Sequence, residues 1–310
     1  MARDVIFRGG RARGQRIAIG SLSLMDAVPA LCGGKFRRPE HLAPLVDALE
    51  DVAAGRGVPT IVTCPPRHGK SRTITAAISW MLLRDPTKTH AIASYSQRLA
   101  NALSKIVRRQ VVAHGLTLSA DERAMSLWRT EQDGGMLATG TRGSLTGFGI
   151  SGLAIVDDAM KGIELAHSLE ARDVLFEWFD TDFLSRLEPG AVPFVVGTRW
   201  HDDDLTGRLL RGKCEEFPEW RHIHLRALEI DDEGVEHALW PERYPLERLR
   251  AIRASGTSIR WNALMQGDPQ PARGRLFGPA TFAECPIVFP QIGESYFEPY
   301  PAAERARHAN

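Results

Sequence analysis

The chain has few cysteines, almost no net charge, no repeats and no long apolar run, and each shortage excludes something. Its four cysteines (Cys32, Cys64, Cys214, Cys285) stand far apart without C-x-x-C spacing. Neither a zinc site nor a disulfide framework is therefore expected, and the thiols should be free. No stretch approaches the ~20 apolar residues of a membrane span, and the basic N-terminus has no apolar signal core behind it. A soluble, intracellular protein without a membrane partner is the expectation. A formal net charge of +1, from 39 basic and 38 acidic residues, excludes a bulk polycation, so any nucleic-acid contact must come from local patches. With 310 residues, 43% apolar, the composition fits one large globular domain plus a small appendage.

What is present begins with Cys64-Pro65-Pro66-Arg67-His68-Gly69-Lys70-Ser71, between an apolar run at 58–62 and an amphipathic stretch at 73–83. A strand that ends in a tight loop and opens a helix points backbone N–H groups at one spot, where the helix dipole also favours an anion. In the G-x-x-x-x-G-K-[ST] pattern the lysine reaches the β/γ-phosphates of a nucleotide and the hydroxyl holds Mg²⁺, roles that fall to Lys70 and Ser71. Cys64 occupies the first glycine position. Arg67, inside the loop, is placed to touch phosphate or to swing between states.

Downstream, residues 89–95 read as a strand and 97–112 as a helix, giving β-α-β-α alternation. Residues 133–149 hold six glycines, too many for a helix interior, and suggest hairpins or a mobile loop. An apolar run at 152–156 ends in Asp157-Asp158, a helix is expected over 164–186, and a further buried strand at 192–196 ends in Gly197-Thr198-Arg199. Three apolar strands thus end in polar residues, and in a parallel sheet ligands bind beyond the carboxyl ends of the strands. Asp157 is the candidate Mg²⁺ carboxylate opposite Ser71. Asp158 is a candidate for orienting water, with Glu164 as substitute; the alternatives for Asp158 are an outer Mg²⁺ carboxylate or a helix N-cap. Thr198 and Arg199 either sense the γ-phosphate or form a turn in which Arg199 pairs with the acidic run 202–204.

Several segments together resemble the ATPase half of the large terminase subunit of tailed bacteriophages. They are PPRHGKS (65–71), ASYSQRLA (93–100), SLTG (144–147), LAIVDD (153–158), GTRWHDDDLTGRLL (197–210), LWPERYPLERL (239–249) and WNALMQGDPQPARGRLF (261–277). The resemblance implies an α/β fold: a doubly wound, mostly parallel sheet of the P-loop NTPase type, with an additional strand between the loop strand and the Asp157 strand and a small helical C-terminal connector. It also implies an ATP- and Mg²⁺-dependent motor that drives double-stranded DNA into a procapsid in the host cytoplasm. The partners it implies are a portal protein, a small terminase subunit and other copies of the chain in a ring, usually a pentamer. Carried over by position, Arg67, Gly69, Lys70 and Ser71 belong to Walker A, Asp157 and Asp158 to Walker B, and Thr198-Arg199 to the coupling motif. His41 falls at an adenine-side motif. Phe148 fills a position that is usually basic in T-G-[RK]-G, leaving Arg142 as the candidate arginine reaching a neighbouring subunit.

The expected organisation is a basic arm and lead-in (1–35, with Arg3, Arg8, Arg11, Arg13 and Arg16), an ATPase domain (36–228), a connector (229–277) and a tail (278–310). In the connector, two short helices are expected, with Trp240 and Trp261 as core anchors and Arg248, Arg250, Arg253 and Arg260 either touching DNA or forming a solvated face. Terminases usually continue into a metal-dependent nuclease. The last 33 residues fall below the ~40 at which an unstapled domain is plausible, so endonuclease activity of this chain is not expected. Two other function classes remain open: a non-hydrolysing nucleotide-binding adapter, and a P-loop kinase, which the lack of an arginine-rich lid disfavours.

Overall fold

The computed structural model describes residues 18–269 except Ser144 and Thr146. The arginines of the basic arm, the end of the connector from 270, the tail 278–310 and Cys285 lie outside the described residues. Two helices lead in. The first, α1 (Leu24–Leu31), is capped by the Ser23 hydroxyl, which accepts from the Asp26 amide, and the second is α2 (Ala43–Ala53). Next come β1 (Thr60–Thr63), α3 (Lys70–Arg84), β2 (Thr89–Ser94) and α4 (Gln97–Ala113). A meander of β3 (Leu118–Arg123), β4 (Leu127–Thr130) and β5 (Gly135–Gly140) precedes β6 (Leu153–Asp157), α5 (Gly162–His167) and α6 (Leu169–Glu177). The domain closes with β7 (Val192–Gly197), α7 (Leu205–Leu210) and β8 (Arg221–His224).

Among the described residues these strands form one eight-stranded sheet in the order β3-β4-β5-β2-β6-β7-β1-β8. It is parallel from β5 to β8 and antiparallel only through β3 and β4. The additional strand expected between the loop strand and the Asp157 strand is β7. Period-2 alternation sorts side chains to two faces. Val62, Ile92 and Ile155 join α1 to α4 on one side, whereas Ile61, Ala91, Ala93, Ala154 and Val156 join Leu175, Phe179, Phe183 and Leu205 on the other. Burial on both faces explains why β1, β2 and β6 read as continuous apolar runs rather than alternating ones.

Two local expectations need correction. The glycine-rich stretch 133–149 forms one of the hairpins expected, β5 pairing antiparallel with β4, but it is not simply a mobile loop, because β5 is a fully buried strand that also pairs with β2. Its glycines answer to close neighbours: a Cβ on Gly140 would come within 2.8 Å of the Gln97 amide nitrogen. The helix expected over 164–186 is interrupted. Ser168 turns extended and caps α6 by accepting from the Ala171 amide, and after Glu177 the chain widens into a π-turn (Trp178–Phe183) and then tightens in a 3₁₀ turn (Leu184–Arg186).

Past β8 the connector opens with a two-stranded antiparallel ribbon, β9 (Leu228–Ile230) and β10 (Glu236–Ala238), followed by α8 (Leu246–Ser255) and a π-turn at Trp261–Met265. Tyr244, Leu249, Trp261 and Met265 form its own small core. His224 Nε2 donates to the Gln266 carbonyl at 2.7 Å and ties this unit to the end of β8.

Candidate functional site

The loop between β1 and α3 places Gly69 at the helix N-cap with φ 96°, a left-handed conformation that suits glycine. A Cβ there would also strike the Phe36 ring at 2.5 Å. Side chains cap α1, α4, α6 and α7, whereas α3, like α2, α5 and α8, has no side-chain cap. The Arg72 and Thr73 amides bond back to the Gly69 carbonyl, while Lys70 and Ser71, the first residues of α3, line a cavity at its N-terminus, where an anion site is expected. The loop is held from outside by two rings. His41 Nε2 donates to the His68 carbonyl at 2.8 Å, and the buried His68 ring stacks on Tyr244 with centroids 4.5 Å apart. Burial drives the His68 pKa down to about 4, so the ring is neutral. Burial likewise pushes the Cys64 thiol up to about 12, which makes it an inert packing residue rather than a nucleophile.

Opposite the loop, the end of β6 delivers both aspartates. Lys70 Nζ donates to Asp158 Oδ2 at 2.8 Å, and Ser71 Oγ donates to Asp157 Oδ2 at 2.7 Å. Asp158 sits at φ 47°, and its Oδ1 accepts the Thr198 amide at 3.1 Å, which joins the ends of β6 and β7. Lys70 is almost wholly buried; burial opposes its charge, but Asp158 and Asp157 outweigh it and raise its pKa. Asp157 is pushed up to about 7, first by burial and then by the Asp158 charge, against the pull of Lys70 and Ser71.

These groups border a cavity of about 500 Å³ whose walls include Arg67, Lys70, Ser71, Asp157, Asp158 and Trp240. Arg67 is exposed at its rim with φ 65°. Asp157 Oδ1 is buried without a hydrogen-bond partner beside the Ser71 hydroxyl, the orphan acceptor that a cation would satisfy. A carboxylate and a hydroxyl suit Mg²⁺, which keeps most of its shell for phosphate and water, whereas no cluster of three or more metal-ligating side chains exists among the described residues. The donor set therefore fits a Mg²⁺-nucleotide.

Other sequence candidates stand further off. Arg199 is buried, its Nε 2.9 Å from both Asp204 oxygens, while Asp204 also caps α7 by accepting the Gly207 amide. Of the two readings left open, the turn with the acidic run is the arrangement observed. Thr198 lines a narrow cleft behind Asp158 rather than the loop cavity. Glu164 is exposed in α5, and Arg142, at φ 72° after β5, is exposed in its turn; neither lines the loop cavity. Trp261 is buried in the connector's core, and Trp240, partly buried, packs against the main core. It stacks on His41 at 4.2 Å and forms a wall of the loop cavity. Sequence reasoning also missed Phe36, Tyr95, Arg243 and Tyr244, which lie far from the loop in sequence; the only signal was the aromatic W-P-E-R-Y run. Arg250 pairs with Glu236 at 2.7 Å and Arg248 lies over Tyr244, so connector cations serve the connector's own surface.

The sheet order, the uncapped α3 and the facing aspartates define a P-loop NTPase fold with the additional strand β7. More narrowly, it is the fold of the phage large-terminase ATPase domain. The large terminase of bacteriophage HK97 superimposes with a TM-score of 0.53 at 13% identity over 82% of this chain and 56% of its own. The large-terminase ATPase domain of Thermus phage P74-26 does so with a TM-score of 0.51 at 12% identity, over 80% of this chain and 99% of its own. The chain thus spans little more than half the length of the HK97 protein and nearly all of the P74-26 domain. No protein-family model matches the sequence, and no curated protein matches it.

Proposed function

We propose that the chain is the ATP-hydrolysing motor of a viral terminase, coupling hydrolysis to translocation of double-stranded DNA. The observation that carries this reading is the facing pair of hydrogen bonds, Lys70 on Asp158 and Ser71 on Asp157, beneath an uncapped helix N-terminus in the terminase-ATPase fold. Lys70 and the α3 amides would hold the phosphates, Ser71 and Asp157 would hold Mg²⁺, and the bound metal would supply charge neutralisation at the γ-phosphate. Asp158 is then the group that orients water once Lys70 turns to the nucleotide. Arg67 guards the rim, and His41 fixes the loop from the base side. Arg142, exposed on the sheet's carboxyl edge, and Glu164 are left to meet another copy in a ring. Docking to a portal, with a small subunit and in the host cytoplasm, follows from the same reading.

The test is steady-state ATP hydrolysis with and without duplex DNA. Turnover that rises with DNA and vanishes in Lys70→Ala supports the motor; turnover without DNA response argues for another P-loop enzyme. One observation favours the non-hydrolysing adapter: both Asp158 oxygens are engaged, by Lys70 and by the Thr198 amide. Tight ATP binding with no turnover under either condition would establish that alternative.

A further inference from the structure

The basic residues of this chain are mostly consumed internally. Arg172, Arg208 and Arg211 converge on Asp203, Arg199 on Asp204, Arg221 and Arg56 on Asp51, and Arg250 on Glu236. One face departs from this pattern. Helix α4 carries Arg98, Lys105 and Arg109, besides Arg108, which has an interaction partner, and no acidic residue along its length, and α3 beside it is likewise free of acids. Two clefts flank α4. One, of about 760 Å³, lies against the start of β3 and is lined by Lys105, Arg108 and Arg109; the other, of about 470 Å³, lies toward α1 and is lined by Lys35, Arg72 and Arg109. They adjoin at Arg109 and Ala113, and no carboxylate lines either one. Lys35, Arg72, Lys105 and Arg109 are exposed and form no ion pair among the described residues. Arg72 also borders the loop cavity, so the groove runs from the nucleotide site across α3 and α4 to the sheet's antiparallel edge.

We infer that this α3–α4 groove is the track on which the phosphate backbone of duplex DNA rides. A small anion would want donors that converge and are withdrawn from water. These cations are instead strung out and solvated, Lys105 and Arg109 one turn apart on α4, a helix of 17 residues, with Lys35 and Arg72 beyond them on the α1 side. A periodic polyanion matches that layout, since duplex DNA offers one charge per ~1.7 Å of axis and gains affinity by releasing counterions wherever a cation docks. Ile106 and Val112, exposed in the two clefts beside the cations, are available to sugar edges. The inference rests on the motor reading for the identity of its partner. It adds the location, and it makes Arg72 the joint between the DNA groove and the loop cavity.

The experiment measures binding of a duplex oligonucleotide by fluorescence anisotropy across a salt series, on the full chain and on Lys105→Glu/Arg109→Glu. The expected result is at least about tenfold weaker binding at 0.1 M salt, and a log–log salt slope shallower by roughly 2, about one unit for each phosphate that no longer meets a cation. Basal ATP hydrolysis and the melting curve should not move, because neither residue touches the loop cavity. The neutral pair Lys105→Gln/Arg109→Gln should fall between. If the double reversal keeps wild-type affinity and slope while DNA still stimulates the ATPase, the groove is overturned and the motor stands. If Arg250→Glu/Arg253→Glu takes the slope instead, the connector is the track and the groove is overturned equally. A wild-type chain that binds no duplex overturns the motor reading along with it.

Discussion

Asp204 does three jobs with one buried carboxylate: it receives Arg199 Nε on both oxygens, accepts the Gly207 amide at the start of α7, and accepts the Trp200 amide at 3.3 Å. Removing it strands a buried guanidinium and uncaps a helix, so Asp204→Ala should lower the unfolding free energy by about 3 kcal/mol, measured by urea titration. Arg199→Ala should likewise act on stability, leaving kcat per folded molecule within about threefold of wild type. A loss of several hundredfold in kcat with an unchanged melting curve would return Arg199 to the role of phosphate sensor. Gly69 is constrained twice, by φ 96° and by the Phe36 ring, so Gly69→Ala should abolish nucleotide binding while the sheet persists by circular dichroism. The sequence showed Gly69, Lys70, Ser71 and the two aspartates because their chemistry is written in contiguous motifs. It left Arg199 open, since which carboxylate reaches a guanidinium is decided by the turn after β7 and not by spacing.

Elements carry the rest of the site. The loop's outer support is the connector: Tyr244 stacks on His68, whose carbonyl accepts from His41, so a segment about 175 residues downstream holds the phosphate loop in shape. The stack needs a ring and not a hydroxyl. Tyr244→Phe should therefore keep the wild-type KM for ATP, whereas Tyr244→Ala should raise KM severalfold with a smaller change in kcat, as expected on removing a positioning ring stack worth about 1 kcal/mol. Equal effects of the two substitutions would remove the stack from the account. The strands β1, β2, β6 and β7 were legible because burial on both sheet faces forces unbroken apolar runs. β5 was hidden, since glycine normally signals turns and here answers to the close approach of α4 and β4. The break at Ser168 was hidden for the opposite reason. Residues on either side of it favour helix, and only the cap made by the Ser168 hydroxyl separates α5 from α6.

At the scale of the whole molecule, the central sheet contains a fully buried histidine whose protonation the fold opposes. His90 lies fully buried in β2, its Nδ1 accepting the Leu153 amide at 3.0 Å and its ring filling the space a side chain on Gly152 would need. Because Nδ1 is the acceptor, the neutral ring carries its proton on Nε2, which has no partner. A second proton would go onto Nδ1 and meet the Leu153 N–H head-on. Burial is the main cause that lowers the His90 pKa to about 4; Asp85 pulls it up and Lys88 pushes it down. The folded pKa is thus below the unfolded value near 6.5, so between pH 4 and 6.5 the unfolded chain binds the extra proton. Stability rises with pH through that window. The full cost applies below pH 4, is about 3 kcal/mol, and disappears above pH 6.5. Asp157 works in the other direction, since its raised pKa means the folded state takes up a proton as pH falls from 7 toward 4. The two are separable by difference. In His90→Gln, where an amide oxygen can still accept from Leu153, unfolding free energy should rise less steeply with pH between 4 and 6.5 than in wild type, the remaining slope coming from His68 and His222, which burial also lowers to about 4. Parallel curves for the two proteins would mean that the ring is solvated in the folded state and that the sheet interior around β2 opens to water.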